Sequence, residues 1–575
     1  MRAESERVEE HPLRERPDPR ASASGLRKRI GLAASVFAGF FVLFAVLRTQ
    51  NIFAIEGGNR CFEIYRRPIL YFDVNNHLLQ PAYVLAWTRL AAWLGNKPTG
   101  PLQFFQLVSL MNCLAMAASL AIVFSLMYVV VPRWRLALAV TVGYGFAKAF
   151  LLQATNANEP PMGLLWSLLA ILFAVLCFRI KSNWPVMASA ALLALAMATY
   201  ETMILLFPAA LYLIWQSRAG NRGNDAAAPV PRPARPASSA QIQAFVTFAI
   251  SGAAVTGLIF GYAYSGMGLH GTGAMVRRFL LHEDTQAYMG VGVGKMLNLP
   301  VGFVRNLFPV VPTYSGLRAL LHGPRGSLVL FFSAGVLGGA CVPMCAYSIW
   351  KNQGTFSAKE RIALSAAAIG LAASAAPLVI WDPGYPKFWL QPLACVAFLV
   401  MMTLRRTPEE SVARQRLRGV LATALLIGLL SNSAWAIRDH IHANPDLPQA
   451  REIAQIVGPN DFVVGSWYGP AILYGAIFAS ENRFMDFPED AVFHHQLVTS
   501  ELNEAVGATA KRGGRVYFIG ILDQNETEWD KFLGMRCGIP YSALRLYRER
   551  STIVQNFGSG PAKVAMFRFD PTAMQ

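Results

Sequence analysis

The feature that most constrains this chain is a succession of separate apolar runs, each long enough to cross a bilayer. A hydrocarbon core of about 30 Å needs roughly 17–25 apolar residues in a helix. Such runs occur at about 31–48, 103–131, 136–153, 161–179, 185–199, 201–215, 243–265, 327–350, 362–380, 388–404 and 418–437. Lipid offers the backbone no hydrogen-bonding partner, so these spans must be helices. The expected fold class is therefore a polytopic α-helical membrane protein of about eleven spans. The composition agrees: 54% of the 575 residues are hydrophobic and 15% charged, against about 25% charged in soluble domains.

The net charge of +17 raises nucleic acid as a partner, and the distribution of charge excludes it. Lysines and arginines sit in short segments between apolar runs: "PRWR", "RIKSNW", "KNQGTFSAKER" and "RRTPEESVARQRLR". Together with the stretch from Ser217 to Gln241, these fall on one side if the N-terminus is cytoplasmic, as the positive-inside rule requires. Residues 1–30 read as a disordered cytosolic tail. The basic cluster Arg27–Arg29 leads into a retained first span, since no small-residue cleavage site follows it. Residues 31–437 form the transmembrane domain, within which the Pro-, Ala- and Arg-rich segment at about 217–241 is a cytosolic linker. The expected location is the inner or plasma membrane.

Residues 438–575 change character. "DFVVGSW", "GRVYFIGIL" and "AKVAMFRFD" have strand composition, and "PQAREIAQIVG" and "AVFHHQLVTSELNEAVGATAKRG" have helical periodicity. A small extracytoplasmic α/β domain is expected there. It contains no phosphate loop or dinucleotide fingerprint. Of the seven cysteines, Cys61 and Cys537 lie outside the spans and are the two that could pair on an oxidising face.

The non-cytoplasmic face receives most of the acids and histidines near membrane level. Its first long loop carries "EGGNRCFEIYRRPILYFDVNNHLLQPAY", with Glu56, Glu63, Asp73, Asn76 and His77 among Arg60, Arg66 and Arg67. A carboxylate there can take the proton of an acceptor hydroxyl or amine, and arginines can hold a departing phosphate. The same residues could instead pair with one another and anchor the loop. A second outer loop, "NANEPP", places Glu159 just before two prolines that open the next span. Tyr200 and Glu201 mark a tight turn at membrane level. Arg277, Arg278, His282 and Lys387, in "MVRRFLLHEDTQAY" and "WDPGYPKFW", supply further outer groups. Snorkelling to headgroups is the plain alternative for each cation.

An acid early in the first loop, followed by "YFDVNNHLL" leading into an amphipathic helix, resembles the protein O-mannosyltransferases. In these an Asp-Glu pair precedes an aromatic-Asp-Val-His-Pro-Pro-Leu motif. The layout is also similar to that of the lipid A aminoarabinose transferases, and both groups belong to the GT-C glycosyltransferase superfamily. Here "YFDV" matches, His77 follows two asparagines, leucines replace the prolines, and Ile55 rather than Asp precedes Glu56. The resemblance implies an integral membrane glycosyltransferase that moves a hexosyl or pentosyl unit from a polyprenyl-phosphate carrier, at the outer face, to a glycan, lipid or protein acceptor. Glu56, Glu63 and Asp73 are the candidate catalytic acids. His77, Asn76, Arg66, Arg67, Glu159, Glu201, Arg277 and Lys387 are the candidate substrate-binding residues. The resemblance leaves a divalent metal open, and no nucleotide or nucleic acid is required. The rival readings are a lipid or polysaccharide transporter or flippase, and a catalytically degenerate member that only binds. A transporter should place charges mid-span; Lys148 is the clearest such residue.

Overall fold

The computed structural model describes residues 19–49, 61, 64–65, 77–219, 238–266, 292–308, 342–380, 383–405, 412–441, 446–465, 470–479, 483–494, 497–529, 533–534, 538–557 and 564–570. Helices dominate the first part of the chain: α1 (Pro19–Val46), α2 (Gln80–Trp93), α3 (Pro101–Val130), α4 (Trp134–Gly145), α5 (Lys148–Thr155), α6 (Pro160–Leu176) and α7 (Trp184–Thr199). A 3-10 turn (Glu201–Leu206) then runs into α8 (Phe207–Arg218). There follow α9 (Ser239–Gly266), α10 (Val293–Leu307), α11 (Ala358–Ile380), a 3-10 turn (Pro386–Trp389) leading into α12 (Leu390–Leu404), and α13 (Val412–Ile441).

Six of the described helices are long and apolar enough to cross a membrane. The chain is a multi-pass membrane protein. The expected span 136–153 is not one straight helix: α4 and α5 meet at a 70° bend. The break frees backbone carbonyls that lipid cannot satisfy. Asn432 of α13 answers for it, donating its side-chain amide to the carbonyls of Phe146 and, at 2.7 Å, Leu307. The runs at 161–179 and 185–199 became helices of 17 and 16 residues. The run at 327–350 is described only from residue 342.

Local sequence explains how the helices begin. Proline stands in the first turn of α2, α3, α6, α7 and α8. There it lacks an N–H that no intrahelical carbonyl could accept, and its fixed φ already suits the helix. In a membrane that removes one costly orphan donor per helix.

The C-terminal part holds a five-stranded sheet in the order β2-β1-β3-β5-β4. Its strands are β1 (Phe462–Gly465), β2 (Phe484–Asp486), β3 (Val516–Ile519), β4 (Ser551–Phe557) and β5 (Val564–Phe569). β1 is parallel to β2 and β3; β5 is antiparallel to β3 and β4. Helix α14 (Asp446–Ile456) precedes β1; α15 (Pro470–Ile477) joins β1 to β2, and α16 (Phe487–His494) and α17 (Leu497–Lys511) join β2 to β3. The three strands read from the sequence are β1, β3 and β5. β2 is three residues long, and β4 is a largely exposed edge strand, so neither carries the apolar signature of a central strand.

This sheet packs on one end of the helical part. Val84, Phe104, Phe105 and Ala157 share a buried cluster with Ile453, Val463, Tyr474 and Tyr517. Cys61 is buried in the same cluster, while Cys537 lies outside the described residues.

Candidate functional site

At the end of the helices that carries the sheet, several termini converge. The chain just after α1 is tied to the end of α5: the Thr49 amide donates to the Thr155 carbonyl at 3.1 Å. Asn112, within α3, donates to the carbonyls of Asn156 and Asn158 at 2.8 and 2.7 Å. Those two bonds hold the second loop against α3, and the loop in turn carries Glu159 to the start of α6. Glu159 is the residue before Pro160 and is 1% exposed.

His77, which precedes α2, reaches Glu159 from the other side. Its Nε2 lies 3.5 Å from a Glu159 carboxylate oxygen, and its Nδ1 lies 3.4 Å from the Thr199 carbonyl. A carbonyl can only accept, so the Thr199 contact favours a proton on Nδ1 and leaves Nε2 to face the acid. The backbone fixes this arrangement, because the Leu79 amide donates to the Ala198 carbonyl at 3.1 Å.

Tyr200 joins this pair to a cation. Its ring stacks on His77 with centroids 4.8 Å apart and planes 16° from parallel. The Lys387 ammonium lies 5.3 Å from the same ring and 4.9 Å from that of Tyr385. Lys387 is 9% exposed, a position in which cation–π contact offsets part of the lost hydration. The turn that carries it is pinned by Trp389 Nε1, which donates to the Pro383 carbonyl at 2.7 Å. Gln391, one turn on, donates to the Met203 carbonyl at 2.8 Å.

Three groups here left no mark in the sequence. The Tyr83 hydroxyl accepts from Trp166 Nε1 at 3.0 Å and from the Thr199 hydroxyl at 3.3 Å. Burial pushes the Tyr83 phenol up, against the lowering effect of those two bonds, so it stays neutral. Tyr83, Trp166 and Thr199 therefore brace the backbone carbonyl that His77 meets. Aromatic and hydroxyl residues inside apolar helices read as packing until their partners are known.

The structure thus gathers His77, Glu159 and Lys387 from three distant segments. Glu201 follows Tyr200 directly and is half-buried at the start of its 3-10 turn. Glu56, Glu63, Asp73, Asn76, Arg66, Arg67 and Arg277 lie outside the described residues. Among the described residues no three His, Cys, Asp or Glu side chains come together as a metal-ligand set.

No protein-family model and no curated protein matches the chain. Among solved structures, ArnT from Cupriavidus metallidurans bound to undecaprenyl phosphate is similar. It covers 95% of this chain and 98% of its own length, at 12% identity and a TM-score of 0.52. The chain has the ArnT fold. ArnT from the same organism in the apo state aligns over the same shares, at 11% identity and a TM-score of 0.48. The resemblance read from the first loop thus extends to whole-chain architecture, at an identity that speaks for fold alone.

Proposed function

We propose that this protein is an integral membrane glycosyltransferase that transfers a sugar from a polyprenyl-phosphate carrier to an acceptor at the outer face of the membrane. The observation that carries the reading is the convergence of a buried acid, an imidazole and a caged lysine at the end of the bundle where the sheet docks. The ArnT fold supports it, and the ArnT structure of that fold holds undecaprenyl phosphate. The N-terminus would be cytoplasmic and the C-terminal domain outside, which puts this end of the helices on the outer face.

In this mechanism a first-loop carboxylate, Glu56 first and Glu63 or Asp73 next, takes the proton of the acceptor hydroxyl or amine. The acceptor atom attacks the anomeric carbon, the bond from that carbon to the phosphate oxygen breaks, and polyprenyl phosphate leaves with both electrons. Charge grows on the phosphate as the bond breaks, and Lys387 stabilises it. Arg66, Arg67 and Arg277 are the further cations assigned to the phosphate. Glu159 holds His77 in one orientation, and His77 with Asn76 and Glu201 shapes the sugar pocket. A divalent metal is tested in the same assay with a chelator.

The test is transfer by purified, reconstituted protein from a polyprenyl-phosphate sugar. Glu56→Gln keeps the shape of the side chain and removes proton acceptance, a loss of about 10²–10⁴ in rate; Glu63→Gln is the paired control. Loss confined to Glu63→Gln would move the base and keep the enzyme class. Full activity in both, and in Asp73→Asn, would remove the proposed mechanism.

A further inference from the structure

A second concave feature lies away from this site. Between α4, α10, α12 and α13 runs a cavity of about 750 Å³, within the usual range for a bound organic ligand. Its walls are apolar, built from side chains such as Phe303, Val396, Val400 and Leu425. At one end stand Arg133, Arg135 and Arg418, at the starts of α4 and α13. The Lys387 turn lies at the other end of α12, and α4, of 12 residues, rises about 18 Å between the two ends at 1.5 Å per residue.

Three features distinguish this place from an ordinary basic loop. The arginines line a cavity deep enough to hold chains rather than fringing a convex surface. Arg418 lines the cavity and is half-buried, with Nε and Nη2 sheltered from solvent. The Arg135 guanidinium sits 5.4 Å from the Trp134 ring centroid, and Trp marks the level of lipid headgroups. An occupant must therefore be apolar over most of its length and anionic at one end.

We infer that the groove is a binding site for an anionic glycerophospholipid, its phosphate held by Arg133, Arg135 and Arg418 and its acyl chains lying between α4, α12 and α13. Charge complementarity selects this occupant over a neutral lipid, because each basic residue at a membrane surface favours anionic headgroups. The site is separate from the transfer site and does not depend on that reading. A bound lipid would tie α13 to α4, whose bend into α5 is bridged by Asn432 of α13.

The experiment uses the full-length protein, stripped of lipid in detergent and offered phosphatidylglycerol or phosphatidylcholine with identical acyl chains. Native mass spectrometry should find phosphatidylglycerol retained at least tenfold more than phosphatidylcholine, and it should raise the melting temperature. The double variant Arg133→Gln, Arg418→Gln should lose about tenfold of that retention. Because charge removal can also disturb topology, a second variant leaves the arginines in place. Ala422→Trp fills the groove from an exposed position of α13; it should fold and should also lose the lipid. Equal retention of the two lipids, or retention undiminished by either change, overturns the proposal. So does recovery of polyprenyl phosphate from the groove in place of phospholipid.

Discussion

His77 illustrates how much a single residue depends on its neighbours. Its ring is stacked on Tyr200, faces Glu159 and meets the Thr199 carbonyl, so three constraints set its place and orientation. Replacing Glu159 by Gln keeps the volume and removes the charge. The expected outcome is a folded protein with sugar transfer reduced at least tenfold, measured as kcat with melting temperature as the control. Lys387→Gln should act differently. A charge-assisted hydrogen bond contributes about 1.5–3 kcal/mol, so KM for the carrier should rise by about 10–150-fold if that bond is made in the ground state. An unchanged KM with a lowered kcat would place the lysine on the transition state alone. Trp166→Phe removes one donor to Tyr83 and should cost about 1 kcal/mol of stability, read as a lowered melting temperature.

Among the elements, α10 and the turn before α12 meet at a close backbone approach. Gly302 packs so tightly on the turn that an added Cβ would lie against the carbonyl oxygen and carbon of Pro383. Pro383 is also the acceptor for Trp389, and Lys387 rides on the same turn. Gly302→Ala must push backbone rather than a flexible side-chain end. It should cost about 1–3 kcal/mol and lower transfer through a displaced Lys387; normal activity at normal stability would show that the turn adapts. The α4–α5 kink has a comparable single support. Asn432→Ala leaves the Phe146 and Leu307 carbonyls without their donor in a region that excludes water, at about 1–3 kcal/mol for each group left unsatisfied. Its melting temperature should fall, while Asn432→Gln should recover part of the loss.

For the whole molecule, sidedness is the decisive expectation. The proposed mechanism needs the sheet and the site on the outer face. Reporter fusions after Arg235 and after Asp461 should read cytoplasmic and external respectively; the reverse at either point overturns the orientation and the mechanism with it. Contact between the sheet and the site end of the bundle also links folding to function, because Ala157 of the second loop shares one buried cluster with Val84, Phe104 and the sheet residues Val463 and Tyr517. Truncation before α14 would expose that cluster.

Whatever depends on local pattern was legible in the chain itself. Apolar length reports a membrane crossing, because the bilayer imposes one thickness on every span; proline at a helix start and β-branched runs report their elements for equally local reasons. Hence the membrane class and the strands β1, β3 and β5 could be read directly, while His77, Glu159 and Lys387 stood out only as polar groups expected on the outer face. The bend between α4 and α5 could not, since its hydrogen-bond donor lies in α13. Nor could the bracing by Tyr83, Trp166 and Thr199, whose partners are 83 and 116 residues apart in the chain. A side chain's role in a dry interior is set by which polar group meets it there, and only tertiary packing decides that meeting.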